Sequence, residues 1–338
     1  MKILLCSHFF HPSVGGIEEV SDLLAHQFTD AGHEVAVVTE TSGPDPRETK
    51  FEVHRRPGPA KLLRLAAWSD VVFHNNISLR AAWPLLFINR PWVIAHHTWI
   101  RRVDGSIGWR DSLKQFVSRN ARNITVSRAM SEHLRSDAVL IGNPYRDGLF
   151  RLDPTVARDL DLVFLGRLVS DKGLDLLLRA LTLLRQKNGL RPGLTVIGSG
   201  PEEPILRDLV TELALHDQVK FIGKQSGPDL ARQLNRHRFI VAPSRWHEPF
   251  GLIVLEGLAC GCVPVAARCG GLPDAMGPCG VTFEHESATD LADVLGKLLE
   301  PSHNLEPYLA GAAEHLARHT AEAVARQYLE VLQDAAKP

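Results

Sequence analysis

Two carboxylates eight positions apart, Glu248 and Glu256, are the residues best placed to do chemistry in this chain. They stand in the stretch Trp246-His247-Glu248-Pro249-Phe250-Gly251-Leu252-Ile253-Val254-Leu255-Glu256. Leu252 to Leu255, followed by Leu258 and Ala259, form a helix apolar on nearly every side, which predicts a buried helix with Glu256 at its middle. A buried carboxylate needs a hydrogen-bonding partner. Glu248 lies one short turn before that helix, and free backbone N–H groups at a helix start attract an anion. The segment therefore offers two hydroxyl-binding carboxylates around an anion site, an arrangement suited to a sugar nucleotide. The competing account has Glu248 capping the helix and Glu256 paired with an arginine.

Four other groups sit just past predicted strand ends. Gly15-Gly16 opens the first helix, where two glycines let a phosphate or sugar approach the backbone, or simply make a turn. Arg167 and Lys172 share the loop from Gly166 to Gly173, and an arginine fork with a lysine point charge can neutralise a diphosphate. His96-His97-Thr98 follows the strand Trp92-Ala95, and one of the two histidines can meet a sugar hydroxyl or developing charge. Gly270-Gly271-Leu272-Pro273-Asp274 is a fourth approach loop. Asp159-Leu160-Asp161 matches the Asp-x-Asp of metal-dependent sugar transferases, but it precedes its strand and so falls at the wrong sheet edge. Ser127 and Ser244 lack the Gly-x-Ser-x-Gly setting of a hydrolase nucleophile.

These groups need a scaffold of alternating strands and helices. Ile3–Ser7, a helix from Ile17 to Ala31 and Val35–Thr39 read as a βαβ unit with a parallel sheet. Strands at 71–73, 92–95, 124–126 and 139–141 follow, and Tyr145 to Pro154 reads as a linker. The pattern then restarts with a strand at 161–165, a helix at 174–188 and a strand at 194–197. It continues with strands at 219–222, 239–242 and 263–267 and a helix at 289–299. The expected fold is α/β, with two doubly wound Rossmann-like domains facing each other across a cleft. Their expected ranges are 1–148 and 149–320, followed by a C-terminal helix within 321–338 whose Val324, Tyr328, Leu329 and Leu332 form one apolar face.

At 338 residues, the chain suits two domains of about 150 residues each. It has 44% hydrophobic and 23% charged residues and a net charge of −1, which mark an ordinary globular protein, with no run of roughly 18 apolar residues to span a bilayer. The apolar start is interrupted by His8 and His11 and reads as a strand rather than a signal peptide, which makes a cytoplasmic protein the expectation. Five cysteines match no zinc-ligand spacing and read as reduced, buried thiols. Residues 51–135 hold fourteen Lys and Arg against five Asp and Glu, including Arg55-Arg56, Arg101-Arg102, Arg110, Lys114 and Arg119. Such a region is either a solvated basic face or a contact for anionic lipid headgroups or a lipid diphosphate. Nucleic acid is not expected, because no aromatic-rich RNA motif accompanies the charge.

In combination and order, these motifs resemble family 4 of the retaining GT-B glycosyltransferases. The likeness rests on Gly15-Gly16, Phe164-Leu165-Gly166-Arg167 with Lys172-Gly173, and Gly198-Ser199-Gly200-Pro201-Glu202. It also rests on Val219-Lys220-Phe221-Ile222-Gly223, Pro243-Ser244-Arg245-Trp246 and the Glu-x7-Glu segment. The resemblance implies transfer of a hexose from a UDP- or GDP-sugar to a glycan, lipid-linked or small-molecule acceptor, with neither cofactor nor metal. Arg167 and Lys172 would hold the leaving diphosphate, Glu248 the donor-sugar hydroxyls and Glu256 the ribose. The N–H groups of Phe250, Gly251 and Leu252 would touch the distal phosphate and sugar, and the turn Ile222, Gly223 and Lys224 would flank the base. Gly16, with Gly15 beside it, would line the diphosphate or acceptor side. His97 would be the histidine aimed at the substrate, and the final helix would return to the amino-terminal domain. Asn143-Pro144-Tyr145-Arg146 departs from the family's usual Asn-Gly-Val-Asp. Alternatives are a sugar-nucleotide epimerase on the same fold and a non-catalytic sugar-nucleotide-binding protein.

Overall fold

The computed structural model describes residues 1–13, 15–43, 48–100, 106–134 and 137–337. Arg101 and Arg102 of the basic region lie outside these residues. The chain divides into two compact units, Met1–Pro144 with His319–Pro338, and Tyr145–Arg318.

In the first unit the strands are β1 (Lys2–Ser7), β2 (Glu34–Thr39), β3 (Glu52–Arg55), β4 (Val71–Asn75), β5 (Trp92–His96), β6 (Arg122–Thr125) and β7 (Val139–Leu140). Between them run α1 (Gly16–Asp30), α2 (Pro59–Trp68), α3 (Leu79–Ala82), α4 (Trp109–Ser118) and α5 (Arg128–Leu134). The second unit holds β8 (Leu160–Leu165), α6 (Leu174–Asn188), β9 (Leu194–Ile197), α7 (Glu203–Glu212), β10 (Val219–Phe221) and α8 (Gly227–Arg236). It continues with β11 (His237–Ala242), α9 (Leu252–Ala259), β12 (Val263–Ala267), α10 (Leu272–Met276), β13 (Val281–Phe283), α11 (Ala288–Leu298) and α12 (Ala312–Ala317). The last helix, α13 (Ala321–Ala336), belongs to the first unit.

Each unit is a parallel sheet, ordered β3-β2-β1-β4-β5-β6-β7 in the first and β10-β9-β8-β11-β12-β13 in the second. Strands covered on both faces must be apolar throughout, which is why Val35–Val38 and Val263–Ala267 are continuous runs. In both sheets the strand order reverses beside the first strand, between β1 and β4 and between β8 and β11. Loops leaving two such neighbouring strands diverge in opposite directions and open a crevice at their carboxyl ends. The pattern is the pair of Rossmann-like units of the GT-B fold.

The segment read as a linker is packed structure. Tyr145 and Phe150 are buried. Asn235 on α8 donates from Nδ2 to the Arg151 carbonyl at 3.0 Å and accepts from the Asp153 N–H at 2.8 Å. The sequence there shows no periodicity because the segment is held by single anchors rather than by a repeating face.

Helix α13 completes the first unit's core. Thr320 caps it by accepting from the Ala323 N–H at 3.2 Å. Val324, Ala325, Tyr328 and Leu332 lie in one cluster with Ile3, Phe28 and Phe73. The Phe73 and Tyr328 rings meet edge to face, with centroids 5.6 Å apart. The Tyr328 hydroxyl is buried without a hydrogen-bond partner among the described residues, and burial pushes its pKa up. Tyr328→Phe should therefore leave stability unchanged or raise it by up to about 1 kcal/mol, whereas Tyr328→Ala should cost about 3–5 kcal/mol. Urea unfolding of both variants checks this, and a clear loss in the phenylalanine variant would show that the hydroxyl has a partner.

Candidate active site

The second unit's crevice lies between the loops that leave β8 and β11, and close backbone contacts set its shape. The loop from Gly166 to Lys172 is tied to the glycine-rich turn after β9. The Gly166 N–H donates to the Ile197 carbonyl and the Leu168 N–H to the Ser199 carbonyl, each at 3.0 Å. A Cβ on Gly198 would stand 1.8 Å from the Gly166 carbonyl oxygen, and one on Gly200 would stand 2.3 Å from that of Leu168. Only glycine permits this meshing. The same turn also reaches the end of β10, because the Gly198 N–H donates to the Gly223 carbonyl at 2.9 Å. Ile222, Gly223 and Lys224 are thereby joined to the wall of the crevice, and Lys224 is exposed.

A one-turn 3-10 segment, Ser170–Lys172, ends at Gly173 with φ +68, and a Cβ there would stand 2.0 Å from the Pro243 carbonyl oxygen. This approach brings the turn against the end of β11. The Asp171 carbonyl then accepts from the N–H groups of Arg245 at 2.9 Å and Trp246 at 3.1 Å. Arg245 also grips Asp175 in a two-pronged ion pair, Nη1 to Oδ1 at 2.5 Å and Nη2 to Oδ2 at 2.6 Å. Burial alone would raise the Asp175 pKa, but the hydrogen bonds and charge of Arg245 outweigh it and hold the carboxyl low.

Within this frame Lys172 Nζ forms an ion pair with Glu248 Oε1, and the Ser244 hydroxyl donates to the same oxygen at 3.0 Å. The side chains are 28% and 15% exposed, so both charges are partly shielded from water but remain reachable. The loop carrying Glu248 is itself pinned. The Gly271 N–H donates to the Glu248 carbonyl at 2.7 Å, and a Cβ on Gly270 would stand 2.4 Å from that oxygen. Phe250 is buried, and Gly251, at φ +119, turns the chain into α9. The Val254 N–H donates back to the Gly251 carbonyl at 3.0 Å, and the first-turn N–H groups of a helix point outward along its axis.

Glu256 corrects an expectation. Its helix is not buried all round: Leu252, Ile253 and Glu256 are partly exposed, while Val254, Leu255, Gly257, Leu258 and Ala259 are buried. Gly257 allows the buried side to lie directly on β11, since a Cβ there would stand 2.6 Å from Ile240 Cγ2. Arg167 is exposed and its guanidinium makes no hydrogen bond or ion pair among the described residues, so the structure joins Lys172, but not Arg167, to Glu248. Ser244, Arg245, Asp171 and Asp175 escaped sequence reasoning as site residues. Asp175 in the first turn of α6 was the available signal, but nothing in the spacing pairs it with Arg245, seventy positions away. Asp159 and Asp161 are occupied elsewhere, paired with Arg236 and Arg238 at the amino end of β8.

The first unit has its own polar centre at the carboxyl ends of its strands. Gly15 and Gly16, both exposed, lead into α1, and Ser13 Oγ donates to the buried Glu18 carboxylate at 3.0 Å. A Cβ on Gly15 would stand 2.6 Å from Glu18 Oε2, so the first glycine makes room for that carboxylate. Behind it runs a buried chain: Ser7 to Ser21 at 2.8 Å, Asn75 Nδ2 to Ser21 Oγ at 2.6 Å, and His97 Nε2 to Asn75 Oδ1 at 2.7 Å. Because Asn75 donates to Ser21, its oxygen faces His97, and the network assigns the proton to His97 Nε2. His97 Nδ1 is buried, and the Asn143 side chain is a second hydrogen-bonding neighbour of the ring that partly opposes the effect of burial. His96 turns the other way, with Nε2 2.8 Å from Asn123 Oδ1. The histidines thus bond to residues of β6 and β4, the strands on either side of β5.

Burial drives the pKa of His97 down to about 3, with the neighbouring His96 adding to the effect, and burial likewise takes His96 to about 4 and His74 to about 3. An unfolded histidine titrates near 6.5, so unfolding takes up protons between these values and stability must fall as pH drops below 6.5. Each histidine contributes about 1.4 kcal/mol per pH unit there. Urea unfolding between pH 7 and 5 should show this slope, with His97→Asn losing one histidine's share; an unaltered slope would overturn the neutral assignment. Asp175 behaves oppositely in sign. Its lowered pKa adds stability that is complete above the ordinary value of about 3.9 and is lost as pH falls through the folded value. Asp175→Asn should cost about 1–3 kcal/mol at pH 7, measured by the same unfolding assay, and equal stability would show that the clamp is idle.

Comparison with known proteins bears on the family and the fold. The family model described as "Glycosyl transferases group 1" matches residues 154–315, and the one described as "Glycosyltransferase Family 4" matches residues 14–140. A D-inositol 3-phosphate glycosyltransferase of Stackebrandtia nassauensis is 36% identical over 188 residues, covering 52% of this chain and 42% of that protein. One from Thermobispora bispora is 32% identical over 237 residues, covering 64% of this chain and 55% of that protein. The chain thus spans about half the length of these curated relatives. Among solved structures, Anabaena HepE in complex with UDP superimposes with a TM-score of 0.83 at 20% identity, covering 99% of this chain and all of that one. Sucrose-phosphate synthase from Thermosynechococcus elongatus gives 0.81 at 22% identity, covering 98% of each chain. At such identity these two speak for the fold. With two parallel-sheet units and both family models matched, the chain belongs to family 4 of the GT-B glycosyltransferases.

Proposed function

We propose that the protein is a retaining glycosyltransferase that moves a hexose from a nucleoside-diphosphate sugar to an acceptor hydroxyl. The observation that carries this reading is the pairing of Lys172 with Glu248 and Ser244 at the second unit's switch point. A cation, a carboxylate and a helix start in one crevice can meet a diphosphate and a sugar together. A donor diphosphate competes with Glu248 for the Lys172 ammonium, which frees the carboxylate to accept from sugar hydroxyls. The unpaired Arg167 supplies the second positive charge. Glu256, on the open side of α9, takes the ribose, and the turn at Ile222 to Lys224 flanks the base. In the first unit, Gly15 and Gly16 let a phosphate or sugar approach the backbone, and the neutral His97 ring meets a sugar hydroxyl.

The reaction needs negative charge stabilised as the diphosphate leaves, which Arg167, Lys172 and the start of α9 provide without a metal. UDP is the favoured nucleotide, since the HepE structures hold UDP, one of them with glucose and another as UDP-glucose. The acceptor is a glycan, a lipid-linked sugar or a small molecule; the relatives' names point to an inositol phosphate. We place the reaction in the cytoplasm, in keeping with five free and buried cysteines.

Lys172→Ala and Glu248→Gln should each lower kcat by about 10²–10³-fold with the fold retained by circular dichroism, and turnover should persist in excess EDTA. Product analysis with UDP-glucose and candidate acceptors, together with a thermal-shift panel of UDP- and GDP-sugars, checks the reading. Unchanged turnover in either variant removes the site assignment. Strict dependence on added metal removes the mechanism, and release of free UDP with epimerised sugar and no acceptor product removes transferase activity.

A further inference from the structure

Helix α4 is amphipathic with its apolar side turned to water. Trp109, Leu113 and Phe116, at positions i, i+4 and i+7, share one side of the helix and are 70%, 40% and 62% exposed. The one fully buried residue of the helix is Ser118. By contrast, α1 in the same unit buries Val20, Leu24 and Phe28. A groove links α4 to the segment after α3: Leu113 and Val117 line one side, Leu85, Leu86 and Ile88 the other. Leu86 and Phe87 on that segment are 78% and 76% exposed, and Ile107 just before α4 is 54% exposed. Six of the ten large apolar side chains most exposed among the described residues therefore fall between positions 86 and 116. Exposed apolar side chains gathered on one helix side and an adjoining groove mark an interaction surface.

Charge identifies the partner. Residues 79–122 hold eight Lys and Arg against two Asp and Glu. Arg110 and Lys114 flank the apolar stripe of α4, with Arg110 5.2 Å from the Trp109 ring, and Arg90 and Arg119 are exposed nearby. The one described acid, Asp111, is engaged at the helix start, where its carboxylate accepts from the Gly108 N–H at 3.0 Å. Tryptophan, phenylalanine and leucine on one side of a helix with arginine and lysine along its borders suit the boundary between acyl chains and anionic headgroups. We infer that α4 and the segment 83–90 form a peripheral docking face for an anionic lipid bilayer. The apolar side chains enter the headgroup layer and the basic border meets the lipid phosphates. This face is a small part of the basic region, and it stands independently of the reaction assigned above.

Co-sedimentation of the full chain with phosphatidylcholine vesicles and with mixed phosphatidylcholine–phosphatidylglycerol vesicles tests the inference. Binding should be at least about tenfold tighter to the anionic vesicles and should weaken with salt. The pair Trp109→Ser and Phe116→Ser should lower binding to anionic vesicles by about tenfold or more. Arg110→Ser with Lys114→Ser should level the two vesicle types. All four positions are at the surface, so the thermal midpoint should stay at that of the parent and report intact folding. Equal partitioning of the parent chain into both vesicle types overturns the inference, as do absence of binding and insensitivity to the serine substitutions. A concentration-dependent dimer that the Trp109→Ser and Phe116→Ser pair abolishes would assign the face to a second copy of the chain instead.

Discussion

The close approach of Gly173 to the Pro243 carbonyl is the constraint on which the second unit's site depends. A side chain at position 173 would have to occupy the space of a backbone oxygen. With glycine there, the Ser170–Lys172 turn closes against the end of β11 and the Asp171 carbonyl takes two N–H groups from the following loop. The Arg245–Asp175 pair then ties that loop to the first turn of α6. Lys172 and Glu248 sit seventy-six positions apart in sequence, yet they are held on loops that cannot slide relative to each other. Preorganisation of this kind matters for catalysis, because charges already in place need no reorganisation when negative charge develops.

The first unit solves a different problem. Its strand ends carry serine, asparagine and histidine where apolar residues would pack more simply, and the polar groups are satisfied in series from Ser7 to His97. At the end of the series the His97 ring has Asn75 and Asn143 as hydrogen-bonding neighbours, and burial keeps the ring neutral. A neutral ring offers a hydrogen-bond acceptor rather than a charge, a property suited to a hydroxyl. The core beneath is completed by α13, so folding of the first unit depends on residues at both ends of the chain. On its surface, α4 reverses the usual rule for an amphipathic helix, keeping its apolar stripe outside and its serine inside.

Much of the secondary structure was legible because parallel strands buried on both faces must be uniformly apolar. The bounds of α6, β9 and β12 follow directly, α6 being bracketed by Gly173 and Gly189 in left-handed conformations. Two edge strands, β3 and β13, were not legible. β3 is Glu-Val-His-Arg on a sheet edge, and β13 has three residues. The segment after Tyr145 looked like a linker because its anchors, Tyr145 and Phe150, are too few to make a pattern. Helix α9 looked wholly buried because its composition is apolar, although one side stays open.

By itself the sequence determined two parallel α/β units, the loops at their strand ends and the residue types those loops carry. Hydrophobic runs and glycine positions are local properties, and they constrain the backbone wherever they occur. Only the tertiary structure decided which charged groups meet: Lys172 with Glu248, Arg245 with Asp175, and Arg167 with neither carboxylate. The difference is physical. An ion pair forms across whatever distance the fold closes, and that distance is set by backbone contacts such as Gly173 on Pro243 rather than by spacing along the chain.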